Sequence, residues 1–177
     1  MKKMILLLVI AGLAKNTLAQ YKPVEQGSLL KFTIKNLGFK IDGSFSGFEG
    51  QIDFDPQNPA NSKFDVSINA ATVNTDNNLR DEHLRGDGYF DVKNSPKIRV
   101  ESNKIIASGK AGTYRFTGML TIKGKSKPIS FPFTATASAD GYLFKGGFTM
   151  NRKDFGVGGT STVSDELEVN INVIAKK

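Results

Sequence analysis

"ELEVNINVIA", Glu166 to Ala175, alternates as far as Val173: Leu167, Val169, Ile171 and Val173 point one way, Glu166, Glu168, Asn170 and Asn172 the other. Successive side chains leave a strand on opposite faces, so this period of two marks a strand with one face buried and one wet. The same period recurs along the chain. It is found in Ser28 to Asn36 (Leu30, Phe32, Ile34), Lys63 to Asn69 (Phe64, Val66, Ile68) and Lys97 to Ser102 (Ile98, Val100). Thr113 to Ile122 and Ile129 to Ala137 repeat it on either side of a turn at Lys123-Gly124-Lys125, and Asp140-Gly141 reads as a second hairpin turn leading into Tyr142 to Asn151. Lys40 to Asp55, bent or bulged at Gly47 and Gly50, completes roughly eight strands.

Eight antiparallel strands with one apolar face each close into a barrel or pack as a sandwich. Many of the 13 phenylalanines fall at inward positions, and a barrel of about eight strands is wide enough to be filled by side chains or to hold one small ligand. The expectation is therefore an all-β antiparallel barrel. Its interior wall comprises Phe32, Ile34, Phe45, Phe54, Phe64, Ile68, Leu84, Phe90, Phe116, Leu120, Phe131, Phe133, Phe148, Met150 and Phe155. Residue types alone leave filling and lining both open. Pro132, mid-strand and without an N–H, predicts weak pairing and a locally open wall. A transmembrane barrel would carry aromatic girdles and an apolar outer face; this chain has no Trp, four Tyr, and Lys31, Lys35, Asp65, Arg99, Glu101 and Glu168 at outward positions.

"TDNNLRDEHLRGDGYFD", Thr75 to Asp91, breaks the alternation and holds His83, the chain's one histidine. Asn78 with Asp81 three residues on resembles a helix N-cap with an acidic first turn, Asp81 and Arg85 are spaced i,i+4, and Gly86 suits the C-terminal end. The reading is a helix of about two turns that caps one barrel mouth through Leu79, Leu84 and Phe90.

Residues 1–19 read as a secretory signal peptide: Lys2 and Lys3 precede an apolar run from Met4 to Ala14, and Thr17-Leu18-Ala19 is a small-x-small cleavage site. The alternative is an N-terminal membrane anchor, which the shortness of the run opposes, since a span needs about 20 apolar residues. The expected mature chain, residues 20–177, is a single domain that is periplasmic or secreted. Without Lys2, Lys3 and Lys15 the formal charge falls from +7 to +4, too mild to point to nucleic acid. The chain has no cysteine, so its own core must hold it.

Thr75, Arg80-Asp81-x-His83-Leu84, Phe90-Asp91-Val92 and Pro96, then Gly118-x-Leu120-Thr121-Ile122-x-Gly124 and Arg152-x-Asp154-Phe155-Gly156, resemble in order the motifs of the YceI-like polyisoprenoid-binding proteins. The resemblance spans the mature chain. It implies a lipocalin-like barrel in the periplasm that encloses an isoprenoid, quinone-like or fatty-acid-like lipid, with no enzymatic activity and no cofactor besides that lipid. A transient contact with a membrane surface and a homodimer are both compatible with it. Asn36 stands where many members carry a histidine after the first strand.

The residues themselves point the same way. A zinc site needs three or four Cys, His or carboxylate ligands, and a hydrolase would have to use His83, yet Gly43 to Gly47 reads GSFSG with Phe45 where a nucleophile elbow has serine. No catalytic residue and no metal ligand is assigned. Arg80, Asp81, His83 and Arg152 are the head-group or lid candidates. Arg152 has a second reading, an ion pair with Asp154 that fixes the turn before the last strand. Lys123, Lys125 and Lys127 read as a solvated, aggregation-resistant hairpin edge, or as a patch for anionic lipid.

Overall fold

The computed structural model describes residues 19–160 and 162–177; the expected signal peptide lies outside them apart from Ala19. The strands are β1 (Gln20–Asn36), β2 (Phe39–Asp53), β3 (Lys63–Asn74), β4 (Lys97–Ala107), β5 (Thr113–Ile122), β6 (Lys125–Ser138), β7 (Gly141–Asn151) and β8 (Val163–Lys176). Each pairs antiparallel with the next, and β8 returns to β1, closing an eight-stranded up-and-down barrel. Among the described residues one α-helix, α1 (Asn78–Arg85), follows β3. Short 3-10 turns occupy Pro59–Asn61 and Arg152–Phe155. No helix among the described residues is long and apolar enough to cross a membrane.

β2 bends where its glycines require it. Gly47 and Gly50 have φ of 74° and 112°, and the β2–β3 register shifts on both sides of Ser46. At Gly50 a Cβ would collide with the Asp65 carbonyl, so two strands meet there at backbone distance. The bulge also resets the alternation: Phe45 and Phe48, three residues apart, both face the interior.

The wall is uneven at β6. Its ladder with β5 runs unbroken from Lys125 to Thr134, but pairing with β7 extends only from Phe133–Gly146 to Ser138–Gly141. Pro128 and Pro132 keep their places against β5, so their missing N–H groups fall on the β7 side. The expected weak pairing at Pro132 is therefore present. The slit is filled by side chains: Phe131 stacks on Phe148 with centroids 5.1 Å apart, and Phe155, 2% exposed, packs with Leu120, Ile122 and Val157 beside Ile129 and Met150.

The interior divides into two levels. At the end holding Gln20, Asp53 and Gly141, the lower end, an aromatic plug closes the barrel. Phe54, just past the last residue of β2, stands edge-on to Tyr114, Tyr142 and Phe144 at centroid distances of 5.1, 5.0 and 5.3 Å. Tyr21, Ile52, Phe133 and Ala175 belong to the same cluster. At the upper end, where β1 turns into β2, the space between the strands is open beneath α1.

Candidate functional site

The open space is a cavity of about 660 Å³, within the range of ligand pockets. Its walls come from every strand: Leu30, Phe32, Ile34, Ile41 and Phe45 from β1 and β2, Phe64, Val66, Ile68, Ile98 and Val100 from β3 and β4, Phe116, Leu120, Ile122, Phe131 and Phe133 from β5 and β6, and Phe144, Phe148, Met150, Leu167, Val169, Ile171 and Val173 from β7 and β8. Leu79, Leu84, Tyr89 and Phe90 form its roof. Most polar lining residues gather at the upper rim, namely Asn36, Thr75, Arg80, His83, Arg152 and Thr162, while Lys31, Ser67 and Lys145 lie along the strands. Leu79 lines the cavity while being 81% exposed, so the cavity reaches the surface beside α1.

The roof is held by two polar clamps. Asp81, 4% exposed, accepts from the backbone N–H and the hydroxyl of Thr75 at 2.9 and 2.5 Å. Arg80 donates from Nε to the Thr75 hydroxyl at 2.7 Å and from Nη2 to the Thr75 carbonyl at 2.6 Å. Arg85 reaches back over β3, donating to the carbonyls of Ala71 and Val73 at 2.7 and 3.2 Å. These carbonyls lie beyond the stretch where β3 pairs with β4, so the arginine satisfies acceptors that the sheet leaves free. The N-cap of α1 is Asn77, whose side chain accepts from the Arg80 N–H; the expected cap at Asn78 is one residue too late. Asp81 and Arg85 do not pair with each other, because Asp81 is turned onto Thr75 and Arg85 onto β3.

Below the roof, Phe90 meets Phe45 edge-on at 5.3 Å, and His83 meets Tyr89 edge-on at 5.1 Å. Among the described residues no hydrogen bond joins the His83 imidazole to a hydroxyl or carboxylate, and no group of three metal-ligating side chains occurs. On the rim, the Thr162 hydroxyl donates to Asn36 at 2.6 Å, and the Leu37 N–H donates to the Thr162 carbonyl at 3.2 Å.

A barrel of this topology, with this cavity under a Thr75-Arg80-Asp81 clamp, can be set beside known proteins. The family model of the YceI-like domain matches residues 21–175. The chain belongs to the YceI-like family. A UPF0312 protein of Pseudomonas aeruginosa is 33% identical over 165 residues, covering 88% of this chain and 85% of that one. Among solved structures, BcnA of Burkholderia cenocepacia superposes with a TM-score of 0.78 at 26% identity, covering 85% of this chain and 96% of that one. A polyisoprenoid binding domain from Saccharophagus degradans, implicated in plant cell wall breakdown, gives a TM-score of 0.70 over 90% of this chain and 99% of that one. At 12% identity that likeness concerns the fold alone.

Within the YceI-like frame the expected interior residues separate. Phe32, Ile34, Phe45, Phe64, Ile68, Leu84, Phe90, Phe116, Leu120, Phe131, Phe133, Phe148 and Met150 line the cavity. Phe54 and Phe155 do not. Phe54 lies past the end of β2, where the chain crosses the lower end, and Phe155 sits in a 3-10 turn wedged against β6. Asp81 is likewise absent from the lining, being consumed by Thr75. Arg80, His83 and Arg152 stand at the rim. The carboxylate that Arg152 meets is Asp165, at 3.2 Å, rather than the expected Asp154, and its guanidinium also donates to the carbonyls of Val157, Val163 and Ser164 at 2.8, 3.1 and 2.9 Å. It is 4% exposed and binds the loop before β8 together. Gly158, at φ 68°, lets this guanidinium and the Tyr89 ring approach where a Cβ would collide. Lys123 is not a free edge charge: its ammonium donates to the carbonyls of Asp87 and Gly156 at 2.5 and 3.2 Å.

Proposed function

We propose that this protein is an exported, non-enzymatic carrier or store that holds a long-chain isoprenoid or related lipid in its upper cavity. The observation that carries the reading is the cavity itself, about 660 Å³ of space walled mainly by aliphatic and aromatic side chains, with most of its polar lining residues gathered at one rim. An extended tail with a small polar head fits that distribution. Quinone-like and fatty-acid-like lipids share this chemistry. The solved polyisoprenoid binding domain of similar fold and the family match support the same class of ligand.

Each buried methylene is worth about 0.8 kcal/mol relative to water. Bilayer tails are as apolar as Leu side chains, so exchange between membrane and cavity is nearly balanced, which suits reversible loading. The filled-core alternative, an envelope interaction module acting through its surface, fits the plugged lower half and not the upper one. The hydrolase alternative would need an activating partner for His83, and the described contact of that ring is with Tyr89.

Native mass spectrometry of the protein purified without added lipid tests the reading. A co-purifying mass that extracts into organic solvent is expected. A clean apo mass that persists after incubation with isoprenoid, quinone and fatty-acid mixtures would overturn it. Export is tested separately by N-terminal sequencing of the periplasmic protein, with cleavage between Ala19 and Gln20 expected; retention of residues 1–19 in the membrane fraction favours the anchor.

A further inference from the structure

The connection from β1 to β2 places two large apolar side chains in water. Leu37 is 70% and Phe39 77% exposed, although Leu37, with φ of 49°, occupies a backbone region that a γ-branched residue seldom adopts. Neither side chain packs into the aromatic plug or the roof. Their neighbours are the cavity rim: Asn36 and Thr162 line the cavity, Leu37 is hydrogen-bonded to Thr162, and Phe39 is paired with Asn36. Leu79, 81% exposed, stands on the same upper end. One pair back from the tip, Lys35 and Lys40 lie directly opposite each other, a like-charge placement that costs stability in a sheet. Both are exposed, and neither has a partner among the described ion pairs.

We infer that this end of the barrel docks on an anionic phospholipid bilayer, with Leu37 and Phe39 entering the acyl boundary and Lys35 and Lys40 meeting the head groups. The inference rests on the lipid-carrier reading and supplies its loading surface, because apolar tip, cationic pair and cavity mouth are continuous. Apolar side chains flanked by lysines are the pattern of an interfacial anchor. A second copy of this chain is the competing occupant, and charge opposes it. A two-fold interface would set the Lys35 and Lys40 pair against its own copy, and a convex tip of three side chains is small beside the roughly 800 Å² per partner of a stable interface.

The chain has no tryptophan, so Phe39→Trp installs a single reporter. Its emission is expected to shift to the blue on addition of vesicles of phosphatidylcholine containing one quarter phosphatidylglycerol, and to shift less with phosphatidylcholine alone. In co-sedimentation, Lys35→Gln with Lys40→Gln should weaken binding to the anionic vesicles roughly thirtyfold. Leu37→Ser with Phe39→Ser should weaken it at least about tenfold on both compositions, with the melting temperature unchanged. A reporter that stays in water with both vesicle types overturns the inference. So does a blue shift that rises with protein concentration in the absence of vesicles, which would show a second copy on the tip. Native mass spectra of the same samples separate the two readings: co-purifying lipid with a silent reporter defeats the docking surface and leaves the carrier, whereas vesicle binding by a protein that takes up no lipid supports the docking surface and defeats the carrier.

Discussion

Asp81 is buried and receives both polar hydrogens of Thr75, whereas His83, two residues on, is exposed and meets the ring of Tyr89 edge-on. Asp81→Ala leaves the buried N–H and hydroxyl of Thr75 unsatisfied, and removing one partner of such a pair costs about 1–3 kcal/mol. Chemical denaturation should show that loss, while His83→Ala stays within about 0.5 kcal/mol of the parent. If the ranking is reversed, the clamp is not what holds the roof. The plug makes a second residue-level prediction. Burial pushes the phenols of Tyr114 and Tyr142 above the ordinary tyrosine range, with the neighbouring Tyr142 adding to the first and Tyr21 and Asp55 to the second. A folded-state pKa raised above the unfolded value contributes stability that is complete below about pH 10 and lost as pH rises through the folded value. Alkaline titration should show late phenolate absorbance from these two rings, coupled to unfolding, and Tyr114→Phe with Tyr142→Phe should remove the late component.

At the scale of elements, the strands are legible because a strand with one wet face must alternate, and β8 does so from Glu166 to Val173. The positions where legibility failed share a cause. Phe48 falls off period two because Gly47 inserts a bulge, Phe54 lies just past Asp53 where β2 ends short of the expected Asp55, and Phe155 lies past the end of β7. The clamp residues Arg80, Asp81 and Arg85 stand out as charges, but their targets, Thr75 just past β3 and the Ala71 and Val73 carbonyls on it, are identified only by the fold. α1 spans Asn78–Arg85 and is shorter than the roughly 12–15 residues that hold a helix in isolation, so its order comes from those clamps and from Leu84 and Phe90 against the barrel. A segment held in this way opens at less cost than the barrel beneath it. Leu84→Ala should therefore raise the off-rate of a fluorescent long-chain lipid more than His83→Ala does, as measured by stopped-flow dilution; equal rates would place the exit elsewhere, with the β6–β7 slit the next element to probe.

For the whole molecule, a continuous barrel has been divided into a solid lower half and an open upper half. Nothing in the alternation distinguishes the two, since phenylalanines point inward at both levels. The division arises from the chain after Asp53, which carries Phe54 across the lower end into contact with Phe64, Tyr114, Phe133, Tyr142 and Phe144. Plug and cavity should then respond differently to substitution. Phe54→Ala removes a ring that is 2% exposed and should lower stability by about 3–5 kcal/mol while leaving the longest accepted lipid tail unchanged or slightly longer. Phe131 lines the cavity and bridges Phe116 and Phe148. Phe131→Trp adds volume to the wall, at a cost of about 1–3 kcal/mol for overpacking, and should shorten the longest tail retained in native mass spectra. Thr134→Val, on the outward face of the same strand, should leave tail length as it was. A tail preference that follows Phe54 and ignores Phe131 would mean that lipid enters through the lower end and that the plug, not the roof, is the gate.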